Sequence, residues 1–136
     1  CLSDWSSDVC SSDLLFLDTL PYNAHTTASD ALCVGLPVLT CAGRSLAARV
    51  AGSLLHAVGL PELVTDSLEE YHAMAVRLAT HPDELTALRA RLARNLPGAS
   101  VFDAERTTRH IEQAYLGMWD IHARGEPSRS FAVSPR

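Results

Sequence analysis

Two short apolar segments flank a stretch of chain that is long enough for a polar loop and one helix. LFLD (residues 15–18) ends in an aspartate, and PVLTC (residues 37–41) lacks polar alternation, as is typical of strands covered on both faces. Between them, a helix is predicted to begin at Thr26 or Thr27 and to stop at Gly35, because glycine is the expected residue just past a helix end. Strands joined through one helix are parallel, so the pattern predicts a parallel α/β fold.

The rest of the chain is predicted to be mainly helical. The start and stop signals of these helices are Ser45 with Gly59, Ser67 with Glu70 in a capping-box pattern, Pro82 with Pro97 and Gly98, and Asp103 with Gly125. A short segment, PELV, lies between the first two of them. Two parallel strands alone do not make a stable sheet, so we expect this chain to be the C-terminal portion of a larger α/β domain.

Residues 1–14, CLSDWSSDVCSSDL, differ in character from everything that follows. They are rich in Ser and Asp and show no apolar period. Back-translation of residues 4–13 yields, codon by codon, a DNA adapter that is widely used in short-read sequencing, and Leu14 fits the codon that follows. We therefore expect residues 1–14 to be a disordered cloning or assembly artefact outside the fold, with a natural N-terminus as the alternative.

Composition excludes several classes of function. Three of the 16 acidic residues lie in residues 1–14, which leaves 13 against 11 basic residues and no footprint for nucleic acid or an anionic membrane. No apolar run approaches the roughly 20 residues that span a bilayer. The two cysteines beyond residue 14, Cys33 and Cys41, have apolar sequence neighbours and suggest neither a disulfide framework nor a zinc cluster. A reducing, cytoplasmic location is therefore expected.

The stretch HTTASDALCVGLPVL (residues 25–39) places hydroxyl groups and a carboxylate at a helix start. Open α/β sheets bind ligands at the carboxyl ends of their strands, and the first turn of a helix offers unpaired N–H groups. Thr26 and Thr27 add hydroxyl donors that suit a phosphate, and Asp30, one turn deeper, can accept from ribose hydroxyls. The pattern fits a nucleoside diphosphate. Because Thr, Ser and Asp are also common helix caps, the capping interpretation stays open beside it.

These residues resemble the C-terminal catalytic lobe of the O-linked N-acetylglucosamine transferases, a family that includes bacterial members and the plant SPINDLY-type proteins. The specific elements are PYNAHTTASDAL (residues 21–32), GLPVLT (35–40) and G-x-x-x-A-x-R-V-A-x-S-L-L (43–55). The resemblance extends from residue 15 to about residue 125. A looser pattern, an acidic residue five positions before the Gly of G-x-P-V, is shared by many nucleotide-sugar transferases of the two-lobed GT-B fold, and Asp30 with Gly35 satisfies it.

The resemblance implies the C-terminal portion of a Rossmann-like GT-B nucleotide-binding lobe, with two parallel strands followed by a mainly α-helical segment. It implies an inverting transfer of a sugar, N-acetylglucosamine, from a UDP-sugar to Ser or Thr of proteins. His25, Thr26 and Thr27 are then expected to contact the UDP diphosphate, and Asp30 the ribose. No metal or other cofactor is expected, and no Asp-x-Asp pair occurs. Residues 15–125 are assigned to the partial UDP-binding lobe and residues 126–136 to a flexible tail.

No catalytic residue is assigned within this chain. The resemblance places the diphosphate-neutralising lysine, the base-recognition segment, the proton acceptor, the first lobe and attached helical repeats upstream, so the chain alone is expected to be inactive. The expected partners are a UDP-sugar, a protein acceptor and the missing part of the same full-length chain. UDP-glucose as donor, or an Asn or non-protein acceptor, stays open. A non-catalytic α/β-helical interaction module that retains the fold is the alternative, although the intact HTTASD motif favours the enzyme.

Two other features of the sequence each have two interpretations. Arg49 is placed either near a phosphate or in an ion pair on a helix surface. Tyr115, Met118 and Trp119 follow helical spacing on the last helix, which predicts core packing, with contact to the first lobe as the alternative.

Overall fold

The structure, a computed structural model, describes residues 14–133. The described residues form two compact units, and the chain passes from the first to the second between Ala99 and Ser100. The predicted artefact segment lies outside the described residues, apart from its last residue. The predicted lobe over residues 15–125 and tail over residues 126–136 stay predictions.

The first unit is built on a parallel sheet. Its strands β1 (Phe16–Leu17), β2 (Val38–Cys41) and β3 (Val64–Thr65) lie in the order β1-β2-β3. All four residues of β2 are buried, and successive side chains of a strand point to opposite faces, so both faces of β2 are covered. The predicted parallel α/β architecture is confirmed. The structure adds β3, which is too short to show a period in the sequence.

The first helix, α1 (Thr26–Cys33), ends where its glycine predicts. Gly35 has a φ of 82°. Its N–H donates to the Leu32 carbonyl (3.0 Å), and the N–H of Leu36 donates to the Ala31 carbonyl (2.9 Å). This pair of bonds is the Schellman motif, which requires a left-handed residue that glycine adopts without steric cost. The same pair of bonds closes the helices that end before Gly59 and Gly125.

The helix predicted over residues 46–59 is divided in two. Ser45 caps a three-residue 3₁₀ turn, and the α-helix that follows, α2, spans only Val50–Ala57. A continuous helix would need the carbonyl of Ala47 for its own hydrogen bond. That carbonyl instead accepts from the backbone N–H of Asn23 at 3.0 Å. A contact with a distant loop therefore decides where the α-helix begins.

The remaining helices begin at their predicted caps. Helix α3 (Leu68–Thr80) follows Ser67, whose hydroxyl oxygen accepts a backbone N–H at 3.1 Å. Helix α4 (Pro82–Asn95) has proline in its first position. In the second unit, α5 (Ala104–Ala123) follows Asp103, whose carboxylate accepts a backbone N–H at 2.8 Å.

Two sequence-based expectations need correction. Cys41 is a buried free thiol, but Cys33 is disulfide-bonded, whereas the sequence suggested no disulfide framework for these two cysteines. Tyr115, Met118 and Trp119 form a stripe on α5 that is 47–66% exposed, so these side chains are not part of a core. The buried residue of this helix is Ile121 instead. Within residues 14–133, no helix is both long and apolar enough to cross a membrane.

Candidate functional site

The loop between β1 and α1 is held by a buried carboxylate. Asp18, the residue after β1, is 5% exposed. Its Oδ1 accepts from the N–H of Thr19 (2.8 Å) and from the N–H of Ala24 (2.6 Å). Its Oδ2 accepts from the hydroxyl of Thr40 on β2 (2.6 Å). The carboxylate thus ties the start of the loop to the residue just before His25, and ties both to the central strand.

Three further hydrogen bonds hold the same loop, two of them to other parts of the fold and one within the loop. The hydroxyl of Tyr71 on α3 donates to the backbone carbonyl of Asp18 at 2.9 Å. Burial, and after it the negative charge of Asp18, raises the pKa of Tyr71 above its ordinary value, so the hydroxyl keeps the proton that it donates. The N–H of Asn23 donates to the Ala47 carbonyl at 3.0 Å, and its side-chain amide donates to the Thr19 carbonyl at 3.2 Å.

His25 closes the loop and precedes the first turn of α1. Its ring stacks on Tyr22, with 4.9 Å between centroids and 23° between planes. Its Nε2 lies 3.4 Å from the Ala47 carbonyl oxygen. The imidazole is therefore oriented by contacts on two sides, although it is only partly buried.

Helix α1 begins without a side-chain cap. His25 is its N-cap residue, and no side chain bonds back to the first turn. The first N–H to pair within this turn is that of Ser29, with the His25 carbonyl at 3.1 Å. Thr26 and Thr27 are exposed, and their hydroxyls make no hydrogen bond with any other described residue. The capping interpretation of these threonines therefore does not hold, and the first turn keeps unpaired N–H groups and hydroxyls.

Asp30 lies one turn further along α1. It is exposed, and in the described part of the chain its carboxylate takes no hydrogen bond and no ion pair. Residues three and four apart share one face of a helix, so Asp30 lies on the same side as Thr26 and Thr27. The arrangement offers N–H and O–H donors at the helix start and an acceptor one turn deeper. The sequence-predicted site residues are therefore brought together at one junction.

Asp18 and Tyr71 are the residues of this region that sequence reasoning missed. For Asp18 a signal existed, since a carboxylate directly after a buried strand must find hydrogen-bond donors. For Tyr71 there was none, because it lies 53 residues along the chain from its partner.

The other sequence candidates gain no support as sites. Arg49 is exposed and forms no ion pair with residues 14–133. Over that same range, no three His, Cys, Asp or Glu side chains cluster as metal ligands would. A cavity of about 540 Å³ lies in the second unit, between α5 and residues 126–131, and none of the predicted site residues lines it.

A helix start without a side-chain cap, at the carboxyl end of a parallel strand, is a place where open α/β sheets commonly bind anionic ligands such as nucleotides. The family model of Glycosyl transferase family 41 matches residues 7–111. The chain therefore belongs to glycosyl transferase family 41, and the family membership expected from the motifs is confirmed.

Individual relatives agree with this assignment. The chain is 38% identical over 120 residues to the probable UDP-N-acetylglucosamine–peptide N-acetylglucosaminyltransferase SEC of Arabidopsis thaliana. The matched region covers 88% of this chain and 12% of that protein. It is 39% identical to a UDP-N-acetylglucosamine–peptide N-acetylglucosaminyltransferase of Caenorhabditis elegans, over 89% of this chain and 10% of the relative. The chain thus spans about a tenth of the length of these curated relatives.

A solved structure supports the fold. An O-GlcNAc transferase variant from Thermobaculum terrenum matches with a TM-score of 0.71 and 42% identity, over 78% of this chain and 20% of that one. The predicted α/β architecture, as the C-terminal portion of a Rossmann-like glycosyltransferase lobe, is thereby confirmed.

Proposed function

We propose that this chain is the part of a protein O-glycosyltransferase that binds the nucleotide of a UDP-sugar, and that the full protein transfers N-acetylglucosamine to Ser or Thr of proteins. The observation that carries the proposal is the uncapped first turn of α1, where Thr26 and Thr27 present unengaged hydroxyls. Family membership adds the chemistry, because the relatives described above are named as transferases that use UDP-N-acetylglucosamine and a peptide.

The proposed roles follow from the charge that develops during transfer. As the bond between the sugar and the phosphate breaks, negative charge grows on the UDP leaving group. Donors already oriented towards that phosphate stabilise the transition state more than the ground state. We assign His25, Thr26 and Thr27 to the diphosphate and Asp30 to the ribose hydroxyls. Nothing in this assignment calls for a metal, and metal-free transfer stays a prediction, as does a cytoplasmic location.

Asp30 offers a direct test of nucleotide binding. In isothermal titration, Asp30→Asn is expected to weaken UDP binding by about tenfold or more, since hydrogen bonds to a charged group contribute about 1.5–3 kcal/mol. With 2′,3′-dideoxy-UDP, which lacks the ribose hydroxyls, the same substitution is expected to change little. The matched control is Asp83→Asn, an exposed aspartate in the first turn of α4.

Two results would contradict the proposal. Absence of UDP binding by the unsubstituted chain would favour the alternative, a non-catalytic interaction module. An equal loss of affinity for UDP and for the dideoxy compound would remove Asp30 from the ribose site.

Transfer itself is expected to need more than this chain. The chain spans about a tenth of the length of its curated relatives, and no catalytic base or diphosphate-neutralising lysine is assigned in it. We expect no release of UDP above background when the chain is incubated with UDP-N-acetylglucosamine and an acceptor peptide, even at concentrations that saturate UDP binding. Turnover under these conditions would show that a catalytic group within this sequence has been overlooked.

A further inference from the structure

We propose that Asp18 is a positioning residue that sets the backbone presenting His25, Thr26 and Thr27 to a diphosphate. Thr40 holds it through its buried carboxylate, and Tyr71 holds it through its backbone carbonyl. This inference rests on the proposed function and deepens it. Asp18 is 5% exposed, and its carboxylate is surrounded by donors from the protein itself. It therefore acts through the loop backbone and not by touching the nucleotide.

The geometry of the carboxylate supports this role. It receives three hydrogen bonds at 2.6–2.8 Å, and bonds to an ionised acceptor at such lengths are charge-assisted and strong. Two of the donors, the N–H groups of Thr19 and Ala24, lie at opposite ends of the loop. Asp18 thus closes the loop on itself, and the chain leaves this closure directly into His25.

Two rigid elements hold Asp18 in place. Thr40 belongs to the central strand β2, where it is fully buried, and its hydroxyl donates to Oδ2. Tyr71 belongs to α3, and its hydroxyl donates to the Asp18 carbonyl. A site is pre-organised when the groups behind it are themselves locked by packing and hydrogen bonds. No other described side chain bonds to the hydroxyls of Thr26 and Thr27, so the path of the backbone decides where they point.

The neighbouring strands provide a matched pair of variants. Thr40 and Thr65 are both buried, and each donates one hydroxyl hydrogen bond, Thr40 to the Asp18 carboxylate (2.6 Å) and Thr65 to the Thr40 carbonyl (3.0 Å). Thr40→Val and Thr65→Val each remove one buried hydroxyl hydrogen bond while conserving the shape of the side chain. Both are expected to lower the melting temperature, because each loses a buried hydrogen bond.

Only Thr40→Val is expected to weaken binding of UDP, by about tenfold, because the donors that meet the diphosphate are then no longer locked in position by the hydrogen bonds behind them. Thr40→Ser keeps the hydroxyl and is expected to restore the affinity. Isothermal titration with UDP measures this. Amide hydrogen exchange without nucleotide supplies a second readout, in which the N–H of Ala24 is expected to exchange faster in Thr40→Val and to stay protected in Thr65→Val.

The outcomes separate the two proposals. If the unsubstituted chain does not bind UDP, the proposed function fails and this inference fails with it. If it binds UDP but Thr40→Val weakens binding no more than Thr65→Val does, Asp18 is only structural, and the proposed function stands. Should Thr40→Val not fold, Tyr71→Phe replaces it. That variant removes one hydroxyl from a residue that is only partly buried, and unchanged UDP affinity in it would overturn the positioning role.

Discussion

The double variant Thr26→Val/Thr27→Val is expected to bind UDP at least about a hundredfold more weakly than the unsubstituted chain. Each hydroxyl is proposed to donate to a charged phosphate, and such a bond contributes about 1.5–3 kcal/mol, where about 1.4 kcal/mol corresponds to tenfold in affinity. The backbone N–H groups of the first turn remain, so residual binding is expected. Isothermal titration with UDP is the measurement.

The stability of the double variant is expected to change by less than about 1 kcal/mol. Thr and Val have similar helix propensities, and both positions are exposed.

The sequence offers a control for the effect on UDP binding, since Thr107→Val/Thr108→Val replaces a second Thr-Thr pair in the early turns of α5. If this control weakened UDP binding as much as the first pair does, the assignment of the diphosphate to α1 would be wrong.

Leu39→Ala is expected to lower the free energy of unfolding by about 2–5 kcal/mol, the range for removing a leucine side chain from a packed core. Leu39 lies on the central strand and is fully buried. A loss of this size is a large share of the roughly 5–15 kcal/mol that stabilises a typical domain. Urea unfolding followed by circular dichroism is the measurement.

The matched control is its neighbour in the sheet. Leu17 on β1 pairs in register with Leu39 but is 53% exposed. Leu17→Ala removes the same atoms from the same sheet. It is expected to lower the free energy of unfolding by less than about 1 kcal/mol, because the Leu17 side chain buries little apolar surface. Equal losses in the two variants would show that the first unit is not packed around β2.

Local chemistry made much of the fold predictable. Gly35 and Gly59 end helices because the left-handed conformation is open to glycine, and the bonds that close each end involve residues within one turn. Ser67 and Asp103 begin helices because their side chains accept N–H groups three residues ahead. Interactions of this range are visible in a single sequence.

The candidate site was predictable for the same reason. His25, Thr26, Thr27 and Asp30 are close together in the chain, and a helix start at Thr26 is enough to place them on one side of a junction. The structure adds the hydrogen bonding of these groups. The helix has no side-chain cap, and the hydroxyls of Thr26 and Thr27 make no hydrogen bond with any other described residue. That difference separates a capping role from a binding role, and it depends on the conformation of the whole loop.

The predictions that failed concern contacts between distant residues. The helix expected after Ser45 is interrupted because the Ala47 carbonyl bonds to the Asn23 N–H across the fold. The stripe on α5 reads as core from its spacing, yet Tyr115 and Trp119 are exposed, since periodicity shows that a face is apolar without showing what covers it.

The sequence by itself determined most of the helix ends, the parallel order of β1 and β2, and the group of residues at the start of α1, because short-range steric and hydrogen-bonding rules act between neighbours in the chain. Only the tertiary structure decided how that group is held. Asp18, Thr40 and Tyr71 come from three separate elements, and their hydrogen bonds form only when β1, β2 and α3 pack together. A buried carboxylate must be satisfied by whatever donors packing brings to it, and a single sequence does not reveal which donors those are.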